Sequence, residues 1–321
     1  MKPTSAVLAV TYRCNSRCEM CNVWKKVPGP ELRPEDYRRL PDGLRNINIS
    51  GGEPFLREDL VQIARVLRER YPSASVVIST NGLLPDRIET DVRRMGRVGV
   101  RVSIDAVGRL HDEVRGVNGA FSLAMETVTR LKALGVQDLG ISATLSERTA
   151  ADVVELRKIA DARGVQLVTN LVHSSPIYFG EHGERIPRGT VLETQLGRLV
   201  DRELGSRRPK DWFRAYMTDG IIDQLRGRER RIKCGACKYF FFMEPNGDVY
   251  PCNMWPEKLG NILVESYDDM TGRAGRILGE IDRCNAKCWM SCTVAPAMRR
   301  RPVGPALWVL KRKIAGRGRT A

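Results

Sequence analysis

The residues with the clearest chemistry are three cysteines near the start of the chain, in the segment TYRCNSRCEMCNVW. Cys14, Cys18 and Cys21 have C-x3-C-x2-C spacing, which puts three thiols on one short loop without a fourth close by. Three thiolates can each bind one iron of a four-iron cubane and leave the fourth iron without a protein ligand. A structural zinc ion, the alternative, normally takes four protein ligands.

A second motif stands at the end of the next strand-like segment, where NISGGEPFLR carries GGEP at 51–54. GGEP alone would fit an ordinary turn. Its position one βα unit after a cysteine loop resembles the radical S-adenosylmethionine (SAM) superfamily. The resemblance extends over at least residues 6–172.

This resemblance implies a particular set of cofactors. The three cysteines would bind a [4Fe–4S] cluster, and the open iron would chelate the amino and carboxylate groups of SAM. One electron, from a partner such as flavodoxin or ferredoxin, would then release a 5′-deoxyadenosyl radical. That radical would abstract a hydrogen atom from the substrate.

The rest of the first 172 residues alternates between short β-branched segments and helical stretches. This alternation indicates βαβ units and a parallel sheet. The helical stretches are 58–70, 85–95, 120–134 and 149–163. The family resemblance implies an α/β fold, a partial (β/α)6 TIM-like barrel, with its site at the carboxyl ends of the strands.

Small and polar residues at these strand ends are the candidate contacts for SAM. Glycines let the backbone approach a ligand closely, a carboxylate can accept from the methionyl ammonium, and arginine can grip a carboxylate. Met20 stands where the family often has an aromatic residue, and it could pack on adenine. Asn81 also fits a plain turn and Asp105 a helix cap. The full set is Met20, Gly51, Gly52, Glu53, Ser79, Asn81, Ser103, Asp105, Arg115 and Thr144.

A second group of cysteines lies in CGACKYFFFMEPNGDVYPCN, where PNGD separates two strand-like runs and predicts a hairpin. Cys237, Gly247 and Cys252 have C-x9-G-x4-C spacing, which resembles the SPASM and twitch extensions that bind auxiliary iron–sulfur clusters. We expect a cluster on Cys234, Cys237, Cys252 and one further cysteine.

The last group, CNAKCWMSC, supplies Cys284, Cys288 and Cys292 and is shorter than a full SPASM pattern. Six cysteines suffice for one auxiliary cluster and two spare thiols, or for two clusters that each keep an open iron. A structural zinc is the alternative. A spare thiol can return a hydrogen atom to a substrate radical, and Cys288 is our candidate for that role.

Histidines are scarce, and His173 follows the sixth strand at the rim of the expected site. It could act as a general base or hold the substrate, or be a structural residue. Asn170 and Tyr178 share that neighbourhood. His111 is expected to help form the loop that carries Arg115.

The chain therefore divides into four predicted parts. Residues 1–180 are the barrel, 181–232 a helical connector, 233–295 the hairpin and helix region for the auxiliary cluster, and 296–321 a basic tail. The tail either packs on the barrel or makes peripheral contact with an anionic membrane through Trp308 and Leu310.

Composition narrows the functional classes. The net charge of +15 suits an anionic small-molecule substrate, or is simply a solvated basic surface. Nine cysteines and the lack of a signal peptide predict the reducing cytoplasm. Because the first strand lies so close to Met1, we expect no peptide-recognition domain before it.

We therefore predict a radical SAM oxidoreductase or epimerase that dehydrogenates or epimerises a sugar, aminocyclitol or lipid-headgroup substrate. A peptide-modifying maturase and a zinc-stabilised nucleic-acid-binding protein are the alternatives. GGEP argues against nucleic acid as the partner, because that role does not need it.

Overall fold

The computed structural model of the chain describes residues 2–180, 190–283 and 288–317. Its strands are β1 Ser5–Thr11, β2 Asn46–Gly51, β3 Ser75–Thr80, β4 Gly99–Ser103, β5 Leu139–Leu145, β6 Gln166–Leu171, β7 Phe240–Met243, β8 Asp248–Tyr250 and β9 Gly260–Asn261. Its helices are α1 Leu60–Arg70, α2 Pro85–Met95, α3 Arg109–Arg115, α4 Ala120–Ala133, α5 Val153–Ala162, α6 Thr190–Gly205, α7 Pro209–Leu225, α8 Tyr267–Gly272, α9 Gly275–Arg283, α10 Ser291–Arg300 and α11 Val303–Arg317.

All nine strands form one open sheet in the order β6-β5-β4-β3-β2-β1-β7-β8-β9. The first six run parallel in sequence order, with helices in four of the five connections. Short 3₁₀ turns replace a helix between β1 and β2. This confirms the predicted partial barrel, which does not close because β6 pairs only with β5.

Glycines end three of the barrel helices. Gly96, Gly135 and Gly164 follow α2, α4 and α5 with φ of 72°, 83° and 62°. An L-residue with a side chain rarely adopts this left-handed conformation, so glycine suits the position that ends a helix. The four predicted barrel helices are confirmed, with bounds shifted by up to four residues.

The barrel strands alternate between an apolar outer face and a polar inner face. On β2, Ile47 and Ile49 are buried in the main hydrophobic core, whereas Asn46, Asn48 and Ser50 line a central cavity. Parallel sheets covered on both faces are usually apolar on both. A polar inner face therefore indicates a barrel built to hold a ligand.

The predicted hairpin is confirmed as β7 and β8, and it is joined directly to the barrel. β7 pairs in parallel with β1, from Ser5 opposite Phe240 to Leu8 opposite Met243. β8 then pairs antiparallel with β7. As a result β1 lies between a barrel strand and the hairpin. The predicted domain boundaries stay predictions.

Trp289 fixes the segment before α10 to the connector helix α7. Its indole N–H donates to the carbonyl of Met217 at 2.8 Å, and its backbone N–H donates to Gln224 Oε1 at 3.1 Å. Gly220 lies directly under the ring, where a Cβ atom would be 2.1 Å from Trp289 Cε2. The absence of a side chain at Gly220 is thus a packing requirement.

The predicted membrane contact at Trp308 involves a half-buried side chain. Its ring packs edge-on against Tyr216, with ring centroids 5.4 Å apart, so part of it is used in packing the tail on α7. Leu310 is exposed as expected, in a stripe along α11 with Val303, Leu307 and Ile314. Contact with an anionic membrane stays a prediction that vesicle sedimentation would test. No helix within the described ranges has the length and apolarity to cross a bilayer.

Gly220→Ala should lower the free energy of unfolding by ~1–3 kcal/mol, because the new methyl group overpacks the Trp289 contact. Gly197→Ala in α6 is the matched control, since a Cβ atom there meets nothing within 4 Å. The control should be neutral or stabilise by about 0.5–1 kcal/mol. Urea unfolding of both variants measures this, and equal stability of the two would contradict the packing account.

Candidate functional site

The first cysteine loop follows β1 and is held by the carboxyl end of α3. The backbone N–H groups of Arg17 and Glu19 donate to the carbonyls of Arg115 and Val114, each at 3.0 Å. Ser16 Oγ donates to the Arg115 carbonyl at 2.9 Å. These hydrogen bonds satisfy carbonyls at the helix end and fix the loop that carries the three thiols.

Arg115, the last residue of α3, directs its side chain toward the first cysteine loop. Its Nη2 lies 2.7 Å from Asp105 Oδ2, and its Nη1 donates to Cys18 Sγ at 3.7 Å. Burial lowers the pKa of Arg115, but Asp105 and the thiols raise it by more, so the guanidinium stays charged. Asp105 is fully buried and also accepts from the Thr144 N–H at 2.7 Å. Asp105 therefore positions Arg115.

His111 completes this arrangement as a neutral group. Burial lowers its pKa to about 3, with a further lowering by Arg115. Its Nδ1 accepts from the Asp105 N–H at 3.1 Å. The neutral ring thus adds no positive charge beside the guanidinium, consistent with the expected role in forming this loop.

The GGEP turn lies against the start of the cysteine loop. The N–H groups of Gly52 and Glu53 donate to the carbonyls of Thr11 and Arg13, each at 2.8 Å. A Cβ atom on Gly52 would lie 2.2 Å from the Arg13 carbonyl oxygen, and Gly51 has φ of 135°. The close approach that the glycines allow is therefore to the cysteine loop itself.

Glu53 requires a correction. We expected its carboxylate to accept from the methionyl ammonium, but the side chain is fully buried and outside the cavity wall. Its oxygens accept from Phe55 N–H, Thr80 Oγ1 and Asn81 N–H at 3.1, 2.9 and 2.7 Å. Burial raises the pKa of Glu53 to about 7, because its effect outweighs that of these hydrogen bonds, which lower the pKa. Glu53 therefore ties the end of β2 to the end of β3.

Most of the predicted site residues line one cavity of about 500 Å³. This size is in the range of small-molecule sites. All three thiols of the first loop face it, as does Cys292 from α10. The predicted SAM contacts that line it are Met20, Gly51, Gly52, Ser79, Asn81, Ser103, Arg115 and Thr144.

Asn81 and Ser79 already make side-chain hydrogen bonds within the protein. Asn81 Nδ2 donates to Asn15 Oδ1 at 2.7 Å, and its Oδ1 accepts from the Leu83 N–H. Ser79 Oγ lies 3.1 Å from Asn48 Nδ2. The plain-turn interpretation of Asn81 is thus compatible with its place on the cavity wall.

Residues after β6 complete the rim. The Tyr178 hydroxyl contacts Ser50 Oγ at 2.9 Å and the Gly51 N–H and carbonyl at 3.1 Å. His173 Nδ1 lies 2.5 Å from the Leu171 carbonyl, which can only accept, so Nδ1 carries the hydrogen. Both residues line the cavity together with Asn170.

A second set of contacts ties the cysteine loop to the hairpin, and sequence reasoning did not find it. The Tyr12 hydroxyl donates to Glu244 Oε1 at 2.7 Å. Lys26 Nζ lies 3.7 Å from Glu244 Oε1 and 4.0 Å from the centre of the Tyr12 ring. Burial and Glu244 raise the pKa of Tyr12. Only the pairing of β7 with β1 brings these residues together.

Four of the later cysteines lie near one another at the start of α10, namely Cys234, Cys252, Cys288 and Cys292. Burial raises the pKa of Cys252, and the nearby Cys234, Cys288 and Cys292 raise it further. Cys292 Sγ also lies 3.8 Å from Asn253 Oδ1. Cys284 lies outside the described residues.

Cys237 is not part of this group, contrary to our expectation. It is fully buried in the main core, and burial alone raises its pKa to about 11. Its φ of 61° is a left-handed value that favours glycine. Counted from Cys234 instead, the spacing to Gly247 and Cys252 becomes C-x12-G-x4-C.

Cys288 also differs from its predicted role. Its thiol lies beside Arg230 Nη1 at 3.5 Å, outside the barrel cavity, whereas Cys292 lines the cavity wall. A hydrogen atom donor must reach the substrate carbon. The placement therefore does not support Cys288 as that donor.

The surroundings of both cysteine groups suit an anionic iron–sulfur cluster. Within residues 2–180, 190–283 and 288–317, no three His, Cys, Asp or Glu side chains converge on one ion. A cubane instead needs thiols spread over separate irons. Arg115 Nε and Arg230 Nη2, one beside each group, are buried without a protein acceptor in that described part. Anionic clusters would supply acceptors for both.

The comparisons with known proteins agree with this geometry. Residues 8–160 match the sequence profile of the Radical SAM superfamily. A pre-heme d1 synthase of Dinoroseobacter shibae is 33% identical over 305 residues, covering 85% of this chain and 74% of that protein. The mycofactocin maturase MftC of Mycobacterium tuberculosis is 27% identical over 326 residues, covering 89% and 78%.

Among solved structures, Streptococcus suis SuiB bound to S-adenosylmethionine has the same fold, with a TM-score of 0.63 and 15% identity. The match covers 83% of this chain and 65% of SuiB. The cysteine loop, the GGEP turn, the shared fold and the 33% identical relative support one assignment. This chain belongs to the radical SAM superfamily.

Proposed function

We propose that this protein cleaves SAM reductively at Cys14, Cys18 and Cys21 and abstracts a hydrogen atom from an unactivated carbon. Radical SAM enzymes use a [4Fe–4S] cluster and SAM, which together supply a 5′-deoxyadenosyl radical. The observation that carries the proposal is the single cavity shared by the three thiols, the glycine turn and Arg115.

The chain's own residues divide the binding task. Arg115, held by Asp105, presents a charged guanidinium beside the loop, which suits the carboxylate of SAM. The Tyr178 hydroxyl fixes the Gly51 backbone, which suits the methionyl end. Met20 is buried beside Cys18 and Val114, so it provides an apolar surface for adenine.

The inner wall of the barrel supports a polar substrate. Amide and hydroxyl side chains project from β2 and β3, as the hydroxyl groups of a sugar, aminocyclitol or lipid headgroup require. Arg299 lines the same cavity. Its charge suits an anionic group on the substrate.

We further propose one auxiliary cluster on Cys234, Cys252, Cys288 and Cys292, which would accept an electron from the substrate radical. Cys292 stands in the cavity wall, so this site adjoins the cavity in which we propose the substrate binds. That adjacency favours dehydrogenation, in which the substrate loses a hydrogen atom, an electron and a proton. His173 can accept the proton at Nε2, because Nδ1–H is engaged by Leu171.

A peptide substrate is the second candidate, and a specific observation favours it. Streptococcus suis SuiB, which shares the fold, has been solved bound to a precursor peptide. The pre-heme d1 synthase is instead named for a small-molecule product. Turnover assays with candidate substrates would separate the two. A peptide that alone stimulates 5′-deoxyadenosine formation would overturn the small-molecule proposal. The zinc-stabilised nucleic-acid-binding alternative does not account for the match to the Radical SAM superfamily.

Replacing Cys14, Cys18 and Cys21 together by Ala should abolish 5′-deoxyadenosine formation from SAM and dithionite. Iron and sulfide per chain should fall by about half, since one of two cubanes is lost. Anaerobic reconstitution, iron and sulfide analysis and product chromatography measure this. Nucleoside formation at the wild-type rate would contradict the mechanism.

Cys234→Ala and Cys237→Gly should behave in opposite ways, although they are three residues apart. Loss of Cys234 removes a ligand, so iron content should drop to that of a single cubane. Cys237→Gly suits a residue with φ of 61° and should keep the iron content of the wild-type protein. The reverse pattern in iron analysis would restore Cys237 as the ligand.

A further inference from the structure

Arg230 occupies a distinctive place beside the second cysteine group. Its Nη1 donates to the Cys288 carbonyl at 2.6 Å and lies 3.5 Å from both Cys288 Sγ and Thr293 Oγ1. Its guanidinium stacks on Trp289, 5.7 Å from the ring centre. The side chain is therefore held in one position, against the segment that carries two of the four thiols.

The charges around Arg230 set it apart from the other arginines of the run RGRERR. Arg226 pairs with Glu193, Arg228 with Asp223, and Arg231 with Asp219 and Asp223. These carboxylates neutralise their partners. Arg230 has no carboxylate within ion-pair distance in the part of the chain that the structure describes.

One N–H donor group of Arg230, beside the segment that carries Cys288, has no partner among the described residues. Nη2 is buried and lacks a protein acceptor among the described residues. A buried unsatisfied cationic donor is costly, so native structures usually supply a partner. An anionic cluster on Cys288 and Cys292 would provide sulfur acceptors and a compensating charge.

We propose that Arg230 is a positioning and tuning residue that raises the reduction potential of the auxiliary cluster. This inference rests on the proposed function, since it takes the four thiols to be cluster ligands. Reduction adds one negative charge to the cluster. A fixed cation and hydrogen bonds to sulfur stabilise the reduced form more than the oxidised form. A higher potential makes the cluster a better acceptor for an electron from a substrate radical.

The test uses the variant in which Cys14, Cys18 and Cys21 are all Ala, so that only the auxiliary cluster contributes. Arg230→Gln, Arg230→Lys and Arg228→Gln are compared in that background by potentiometric titration followed by electron paramagnetic resonance. Arg228→Gln is the matched control, because it makes the same charge change two residues away on a largely exposed side chain.

We expect Arg230→Gln to lower the ratio of reduced to oxidised cluster at a fixed potential about tenfold, a shift of ~59 mV to more negative values. Arg230→Lys keeps the charge and should recover part of the shift. Arg228→Gln should match the parent.

A purely structural role predicts a different result: less cluster per chain in Arg230→Gln, but an unchanged potential in the cluster that remains. That outcome, or equal potentials in Arg230→Gln and Arg228→Gln, would overturn the inference. A parent variant that binds no iron–sulfur cluster would instead contradict the auxiliary site of the proposed function.

Discussion

The arrangement of the whole site depends on how closely the ends of β1 and β2 approach each other. The backbone N–H groups of Gly52 and Glu53 donate to the carbonyls of Thr11 and Arg13, and a methyl group on Gly52 would overlap the Arg13 carbonyl. This contact fixes where the cysteine loop leaves the sheet. It also places the glycine turn against the loop, so that the turn and the three thiols face one cavity.

The position of β1 within the sheet accounts for the relation between the two cysteine groups. β2 lies on one side of β1 and carries the glycine turn, whereas β7 lies on the other side and leads into the hairpin. The first cysteine loop follows β1 directly. A single strand thus has the proposed SAM site on one flank and the proposed auxiliary site on the other. α10 carries Cys292, which lines the cavity wall.

Much of the fold followed from local sequence signals. Alternating strand-like and helical segments predicted the barrel, and the PNGD turn predicted the hairpin, because both depend on neighbours in sequence. The cysteine loop and GGEP identified the superfamily because each motif is short and continuous. The pairing of β7 with β1 had no local signal, so the contact between Tyr12 and Glu244 could not be predicted.

The corrected residues share a physical cause, which is that their partners are distant in sequence or depend on backbone conformation. Glu53 is occupied by donors from β3 and the residue that follows it. The C-x2-C spacing of Cys234 and Cys237 makes both residues look like ligands. It gives no sign of the left-handed backbone that Cys237 adopts.

Gly52→Ala tests the central contact most directly, with Gly29→Ala as its control because a Cβ atom there meets nothing within 4 Å. The new methyl group should displace the cysteine loop, so the variant should lose the barrel cluster and form no 5′-deoxyadenosine. The control should keep wild-type iron content and activity. If Gly52→Ala retains both the full iron content and the wild-type rate, the close approach of β1 and β2 is not what assembles the site.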